Sequence, residues 1–436
     1  MGPRPLALHL GTAMLSWTSS RAASASLRHG SPPWSPQTRQ RGERLREDLA
    51  VLLGQGGQID LYQPDARQSD SGRSGQDQIG QGAGGDQAWA AFLAAMDGEI
   101  ETRIATLLDG ILAYRRHPFQ RSQDPPNLVW SEGTTRLLLY GDGIGRPLLI
   151  VPSLINRYYV LDIAPGRSLL EYLDQAGFAP YVVDWGEPGE QEHDFTLTDY
   201  IAGRLEGALD VILERTGARP GLVGYCMGGL LALALAQRRH ADIPSLVLMA
   251  TPWDFSTDAG PGPAFFLASE AALGGTMDAF GTLPTDIIQA MFYASDPMLV
   301  VRKFLKFAEM DMKGAQAEAF VALEDWINDG VPLVVSVARE ALFGWYGANT
   351  PAAGTWQVAG RPVSPAAVTM PCLSLIPSRD RIVPPASASA SASALAAALP
   401  DSTQARIALG HIGMVVSETA RERAWKIMVD WLEMKT

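Results

Sequence analysis

Cys226 stands in the run GYCMG (224–228), which has the glycine–x–nucleophile–x–glycine spacing of a nucleophile elbow. The apolar run 222–225 predicts a strand, and the residues from Met227 onward predict a helix. A sharp turn between them would raise the thiol above the sheet, and its flanks must be glycine because a Cβ there would collide with the neighbouring strand and helix. The helix N-terminus would favour thiolate, and the Met227 backbone N–H would donate to an oxyanion. The alternative is that Cys226 is a small buried apolar residue.

A thiol nucleophile needs a base, and in sites of this kind the chain order is nucleophile, acid, histidine. His411 follows the last predicted strand and is bracketed by glycines. The other histidine downstream of Cys226 is His240, which lies beside two arginines at a predicted helix end and is interpreted as solvated. His411 is therefore the predicted base.

Asp380 is the predicted acid, because it closely follows the predicted strand 372–376 and could fix the histidine tautomer and stabilise the imidazolium. Asp254 also follows a predicted strand and remains a rival for this role. Asp184 ends another strand and is interpreted as a loop anchor. Cys372, the second cysteine, lies inside its strand and is interpreted as a packing residue.

The second oxyanion donor of such sites comes from the loop after the third strand, which here is 152–157. We assign this role to the Ile155 backbone N–H. Asn156 and Arg157 in the same loop are candidate substrate contacts, and a structural role within the loop is the alternative for both.

Alternating strand and helix patterns indicate how these residues are positioned. Crossovers of this length predict a mostly parallel, doubly wound sheet covered on both faces, as in the α/β-hydrolase fold. Between Pro252 and Val368 there are helical stretches but no clear strand, which predicts a helical cap at about 256–366, inserted after the sixth strand over the ligand-binding edge of the sheet. The predicted strands are 148–152, 180–184, 222–225, 246–250, 372–376 and 405–409; the predicted helices are 167–175, 198–215, 227–239, 387–399 and 419–434, with 286–292, 298–312 and 317–327 in the cap.

The N-terminal part has a different composition. Residues 18–50 are rich in Ser, Arg and Pro and are expected to be loosely ordered, and 54–87 has the Gly, Gln, Asp and Ser content of a disordered linker. Residues 5–17 have the outline of a signal peptide, but polar interruptions favour a short amphipathic helix that packs on the domain or touches a hydrophobic surface. The predicted division is 1–88, a largely disordered or low-complexity extension; 89–128, a helical segment; and 129–436, the catalytic domain.

The bulk composition excludes several classes of function. With 35 basic and 47 acidic residues the net charge is −12, which disfavours nucleic-acid binding. Two cysteines cannot make a disulfide framework, and six scattered histidines do not predict a metal site. No apolar run is long enough to span a membrane. We therefore expect a cytoplasmic enzyme without a metal.

Several separate motifs, in this order, resemble the polyhydroxyalkanoate synthases, most closely the short class III and class IV catalytic subunits. The family's triad maps onto Cys226, Asp380 and His411. The resemblance implies polymerisation of 3-hydroxyacyl-coenzyme A into a polyester with release of coenzyme A, which is part of the substrate, so that no cofactor is needed. It also implies a second synthase subunit or a homodimer, and a polymer granule surface, as partners. The motifs are PSLINRYY (152–159), RSL (167–169), VDWG (183–186), LTDY (197–200), GYCMGG (224–229), TPWDF (251–255), WINDGVP (326–332), DRIVPP (380–385) and GHIGM (410–414).

Two other functions remain open from the sequence. One is a thioesterase or ester hydrolase, in which the same triad passes the acyl group to water. The other is a non-catalytic granule-surface protein bound through residues 5–17.

Overall fold

The computed structural model describes residues 2–28, 83–121, 126–257 and 263–435. These residues form two compact units: one holds the described residues of 1–9 and 109–436, and the other those of 10–108. The predicted linker 54–87 lies outside the described residues except at its end, where a helix begins at Ala83.

The larger unit is built on a central β-sheet. Its described strands, including four short ones outside that sheet, are β1 (Asn127–Glu132), β2 (Thr135–Leu139), β3 (Arg146–Val151), β4 (Phe178–Asp184), β5 (Gly221–Tyr225), β6 (Leu246–Met249), β7 (Thr282–Leu283), β8 (Leu333–Val334), β9 (Gln357–Val358), β10 (Arg361–Pro362), β11 (Cys372–Pro377) and β12 (Ser402–Ile407). The sheet order is β1-β2-β4-β3-β5-β6-β11-β12. The six strands from β4 to β12 in this order are parallel, and β2 pairs antiparallel with both β4 and β1. The predicted α/β-hydrolase fold is confirmed.

Alternation along the central strands explains why helices cover both faces of the sheet. In β3, Leu149 and Val151 pack into one hydrophobic core, whereas Leu148 and Ile150 pack into the core on the opposite face. Successive side chains of a strand point to opposite faces, and all four of these side chains are buried. Both faces of β3 are therefore apolar and covered. A strand with no polar face is stable only between two layers.

The helices lie in the connections between these strands, in the N-terminal segments and after the last strand. They are α1 (Leu6–Arg28), α2 (Ala83–Arg116), α3 (Leu169–Gln175), α4 (Glu206–Thr216), α5 (Met227–Arg238), α6 (Pro263–Ala268), α7 (Glu270–Phe280), α8 (Thr285–Tyr293), α9 (Leu299–Ala308), α10 (Ala315–Asn328), α11 (Val335–Arg339), α12 (Pro385–Ala398), α13 (Gly413–Val416) and α14 (Lys426–Lys435). Three π-helical turns extend α4, α11 and α14 at 199–205, 340–347 and 421–425. None of the helices in the described ranges is both long and apolar enough to cross a bilayer.

The segment between β6 and β11 forms the predicted cap after the sixth strand. It contains α6 to α11 and the π-helical turn 340–347. The expectation of helices alone was wrong in detail, because β7 pairs with β8 and β9 pairs with β10. Each of these strands has only two residues, which is too short to give an alternating pattern in the sequence.

The smaller unit contains most of α1 and α2. Loose order was expected from residue 18, but α1 continues without interruption to Arg28. An ion pair of 2.5 Å joins Arg21 on α1 to Asp97 on α2. Both side chains are substantially exposed, so the pair contributes little to stability.

Candidate active site

Cys226 occupies the turn between β5 and α5 with an uncommon backbone conformation. Its φ of 57° and ψ of −128° lie outside the regions that side-chain-bearing residues ordinarily adopt. Its N–H donates to the Met249 carbonyl on the next strand at 2.9 Å, which anchors the strained turn. A Cβ on Gly224 would meet the backbone of α5, and one on Gly228 would meet the Val151 carbonyl oxygen, so the predicted reason for both glycines is confirmed.

His411 and Asp380 meet beside this turn. The Nδ1 atom of His411 lies 2.6 Å from Oδ2 of Asp380, and each residue is 7% exposed. Asp380 Oδ1 accepts hydrogen bonds from the Ile382 and Val383 backbone N–H groups, both at 2.8 Å. The loop after β11 therefore fixes the carboxylate, and because Asp380 contacts Nδ1, Nε2 is the ring nitrogen that remains for a nucleophile.

The electrostatic surroundings of His411 favour its protonated form. Burial lowers the pKa of His411, but the charge of the Cys226 thiolate, the hydrogen bonds to Asp380 and Cys226 and the charge of Asp380 raise it, to about 10. Cys226 therefore acts on the protonation of the ring. Tyr225 helps to position His411. Its hydroxyl donates to the His411 carbonyl at 3.2 Å, and the centres of the two rings are 5.3 Å apart.

The two predicted oxyanion donors differ in their present hydrogen bonds. Met227 is the first residue of α5, a position whose N–H has no carbonyl partner within the helix. The Ile155 N–H donates to Ser153 Oγ at 3.0 Å, within its own loop. It would have to leave that hydroxyl to reach an oxyanion, so its assignment stays a prediction.

The side chains of Asn156 and Arg157 contact other side chains of the protein. Asn156 has a positive φ of 66°, and its Oδ1 lies 3.4 Å from Gln289 Nε2 on α8. The Arg157 guanidinium faces Asp329 at 3.5 Å and Glu187 at 3.7 Å. These contacts agree with the structural alternative for both residues, and substrate contact stays a prediction.

The rival residues are engaged elsewhere. Asp254 accepts from Ser256 and from Asn349 Nδ2 at 2.8 Å, which ties the loop after β6 to the cap. Asp184 accepts from the Gly186 N–H at 3.1 Å and pairs with Arg136, as a loop anchor would.

His240, the other histidine downstream of Cys226, and Cys372, the second cysteine, also lie outside the candidate site. His240 is exposed just after α5. Cys372 is fully buried, and burial raises the pKa of its thiol to about 12, against a small lowering by Ser374. Both therefore fit the roles that the sequence suggested, a solvated helix end and a packing residue.

Tyr346, in the π-helical turn 340–347 of the cap, is a site residue that the sequence analysis missed. Burial raises the pKa of Tyr346, and the charges of Cys226 and Asp380 raise it further. Tyr346 and Cys226 also pack against the same hydrophobic core. The Tyr346 ring packs on Phe255 at 4.8 Å and Phe266 at 5.0 Å between centres. The only signal in the sequence is an aromatic cluster, LFGWYG (342–347), inside the predicted cap.

Among the described residues, no group of three or more His, Cys, Asp or Glu side chains is arranged to hold a metal ion. The candidate site instead contains a thiol, an imidazole and a carboxylate next to a helix N-terminus. Such an arrangement can generate a nucleophile and stabilise a tetrahedral intermediate of acyl transfer.

Known proteins resemble this chain in fold and in sequence. A family model described as the alpha/beta hydrolase fold matches residues 146–416. The poly(3-hydroxyalkanoate) polymerase subunit PhaC of Synechocystis sp. is 31% identical over 341 residues, covering 74% of this chain and 88% of that protein. The PhaC subunit of Allochromatium vinosum is 29% identical, covering 71% and 88%. That of Haloferax mediterranei is 29% identical over 70% of this chain, which spans only 63% of the relative's length. The chain belongs to the α/β-hydrolase superfamily and, within it, to the family of poly(3-hydroxyalkanoate) polymerase PhaC subunits.

Proposed function

We propose that this chain is an acyltransferase that polymerises 3-hydroxyacyl-coenzyme A into polyhydroxyalkanoate through a thioester on Cys226. The observation that carries the proposal is the contact between His411 Nδ1 and Asp380 Oδ2 at 2.6 Å, together with the effect of Cys226, at the N-terminus of α5, on the pKa of His411. The names of the relatives, which are polymerase subunits, supply the substrate class.

The first step forms the acyl-enzyme. His411 holds the proton of Cys226, and the thiolate attacks the carbonyl carbon of the acyl-coenzyme A thioester. The Met227 N–H and a donor from the 153–157 loop, assigned to Ile155, stabilise the negative oxygen. The bond between the acyl carbon and the coenzyme A sulfur then breaks, and the leaving thiolate takes the proton from the imidazolium.

The second step transfers the acyl group. The neutral His411, held by Asp380, removes the proton from the 3-hydroxyl of another hydroxyacyl group, and the resulting oxygen nucleophile attacks the thioester on Cys226. An ester bond forms, the bond to Cys226 breaks, and the proton on His411 pairs with the released thiolate. Because a thioester is exchanged for a thioester during loading, a cysteine allows repeated loading with little change in free energy.

The cap explains how water could be kept from this intermediate. Tyr346 and its aromatic neighbours place apolar surface in the core against which Cys226 packs, and hydrolysis at Cys226 would end the polymer. In this scheme coenzyme A is part of the substrate and no separate cofactor takes part. The product is insoluble, so we propose that the enzyme works in the cytoplasm at the polymer granule surface, as a homodimer or with a second subunit.

The test is to incubate the purified protein with 3-hydroxybutyryl-coenzyme A and to analyse the products. Coenzyme A release together with insoluble polyester is the expected result, and Cys226→Ala should abolish both. Cys372→Ala is the matched control and should keep polymerase activity. Free 3-hydroxybutyrate without polymer would instead identify a thioesterase, and no turnover in the presence of granule binding would identify a non-catalytic granule protein.

A further inference from the structure

The 153–157 loop, which carries the assigned oxyanion donor, is held by the end of cap helix α10. The indole N–H of Trp326 donates to the Arg157 carbonyl at 2.8 Å. Asp329 accepts from the Tyr159 hydroxyl at 2.8 Å and faces the Arg157 guanidinium. The loop therefore takes its position from residues 326–329 rather than from the sheet alone.

Helix α8 of the cap joins the same contact. Gln289 donates to the Ile327 carbonyl at 2.7 Å, and the same nitrogen lies 3.4 Å from Asn156 Oδ1. Gln289 is 3% exposed, so water does not compete for these bonds. Relative movement of α8 and α10 would thus be transmitted to the loop.

Residues 2–9, the N-terminal segment of the larger unit, bridge α8 and α10 on their other side. The Arg4 backbone N–H donates to Asn328 Oδ1 at 2.8 Å, and the Arg4 guanidinium pairs with Asp286 Oδ1 at 2.8 Å. A weaker contact runs from the guanidinium to the Asn328 carbonyl at 3.4 Å. One residue therefore binds the first turn of α8 and the last residue of α10.

The Asn328 side chain explains why this contact matters. It is 2% exposed, and its Nδ2 already donates to the Glu324 carbonyl at 2.7 Å and to the Tyr114 hydroxyl at 3.3 Å. The Arg4 N–H supplies the hydrogen bond to its oxygen, and a buried carbonyl that loses its donor is unfavourable.

His9 fixes the other end of the segment. It is 3% exposed, its Nε2 lies 3.1 Å from the Arg4 carbonyl, and its ring packs edge-on against Tyr293 at the end of α8, with 4.8 Å between centres. The segment is thus held at both Arg4 and His9 against the two cap helices.

We propose that Arg4 is a positioning residue: through Asp286 and Asn328, residues 2–9 hold α8 and α10 in the arrangement that places the 153–157 loop for oxyanion binding. This inference rests on the proposed acyl transfer through Cys226. It assigns to the N-terminal segment a role in the acylation step that acts through the cap helices.

The experiment is a charge-swap cycle at Arg4 and Asp286 in the full-length protein. Single-turnover release of coenzyme A from 3-hydroxybutyryl-coenzyme A reports acylation, whether the acyl group later goes to polymer or to water. Because both side chains of the Arg4–Asp286 pair are more than a third exposed, Arg4→Glu should lower the acylation rate at saturating substrate by only a few fold, with little change in KM. The double variant Arg4→Glu/Asp286→Arg should recover most of the rate, and Arg4→Lys should stay near wild type.

Two further measurements separate positioning from general damage. Alkylation of Cys226 by iodoacetamide needs no oxyanion donor, so its rate should be unchanged in Arg4→Glu. Lys435→Glu, which reverses a comparably exposed pair with Asp401 at the C-terminal helix, should leave acylation unchanged. An equal loss of alkylation and acylation, or no recovery in the double variant, would overturn the proposal.

Hydrogen–deuterium exchange keeps the proposal testable if acyl transfer itself fails. Arg4→Glu should accelerate exchange in 153–157 and 326–330, and the double variant should reverse this. If wild-type protein forms no acyl-enzyme while the exchange pattern behaves as stated, the proposed function is wrong and the positioning contact stands. Unchanged exchange in both segments of Arg4→Glu would show that Arg4 does not position the 153–157 loop.

Discussion

The Nδ1 atom of His411 lies 2.6 Å from Oδ2 of Asp380, whereas the other oxygen of that carboxylate is occupied by two backbone N–H groups. The carboxylate therefore cannot rotate away from the imidazole without losing two hydrogen bonds. This arrangement fixes the tautomer of the ring and stabilises its protonated form.

Replacing this carboxylate by an amide tests its role. Asp380→Asn should reduce single-turnover acylation by roughly a thousandfold or more, because the amide neither stabilises the imidazolium nor selects the required tautomer. Asp254→Asn is the matched control, since Asp254 binds Ser256 and Asn349 instead, and should keep the rate within a few fold. Loss of acylation in Asp254→Asn with retention in Asp380→Asn would reverse the assignment of the acid.

The charge of Cys226 should be visible in the titration of His411. In Cys226→Ala the thiolate charge and its hydrogen bond, which raise the pKa, are gone, while burial, which lowers it, remains. The pKa of His411 should therefore fall below the wild-type value of about 10. NMR titration of the ring protons measures this directly, with Cys372→Ala as a control that leaves the titration unchanged. An unaltered His411 pKa in Cys226→Ala would show that the two side chains do not interact.

The raised pKa of His411 also predicts how the acylation rate depends on pH. The coenzyme A thiolate needs a proton from His411 as it leaves, and that proton is lost as the pH rises through about 10. Single-turnover rates should therefore fall on the alkaline side with this midpoint. A decline centred near pH 6.5, the ordinary pKa of histidine, would contradict the proposed proton donor.

Tyr346 should control water near the acyl-enzyme. Tyr346→Ala removes the ring that packs on Phe255 and Phe266, which should admit water and raise the ratio of free hydroxyacid to polymer. Tyr346→Phe keeps the ring and should retain the wild-type ratio. Product analysis by chromatography measures both. Equal product ratios in the two variants would show that the ring does not control the access of water.

The elbow glycines should be intolerant of side chains for steric reasons. Gly228→Ala would place a Cβ against the Val151 and Pro152 carbonyl oxygens, and forced packing of this kind costs about 1–3 kcal/mol in the free energy of unfolding. Gly275→Ala, in α7 with no atom within 4 Å of the new Cβ, should be neutral or stabilising by about 0.5–1 kcal/mol. Urea denaturation distinguishes the two outcomes.

Much of the sheet could be predicted because its central strands are apolar on both faces. Strand 246–250 was predicted and is observed at Leu246–Met249, and the strand predicted at 405–409 begins three residues earlier, at Ser402. The β1–β2 hairpin was missed. Its edge strand β1 has four exposed residues and no buried one, so the run NLVWSE carries no strong hydrophobic pattern.

The elbow and the candidate base and acid could be proposed from the sequence because each has a local requirement for a residue type at the end of a strand, and their catalytic roles stay predictions. Tyr346 could not be proposed, since its packing against the same core as Cys226 depends on how the cap folds back over about 120 intervening residues. Likewise, no pattern within the sequence indicates that the Ile155 N–H donates to Ser153, or that Arg4 binds Asn328 more than 300 residues away. These contacts arise from tertiary packing.

The left-handed backbone at Cys226 has a further consequence for how the protein can change. A residue with a side chain in a sparsely populated conformation lowers stability by about 1–3 kcal/mol, whereas glycine adopts positive φ freely. Cys226→Gly should therefore give a more heat-resistant protein with no nucleophile. Screens that select variants by thermal tolerance alone would accept the loss of the thiol, so any directed evolution of this chain has to select for turnover as well.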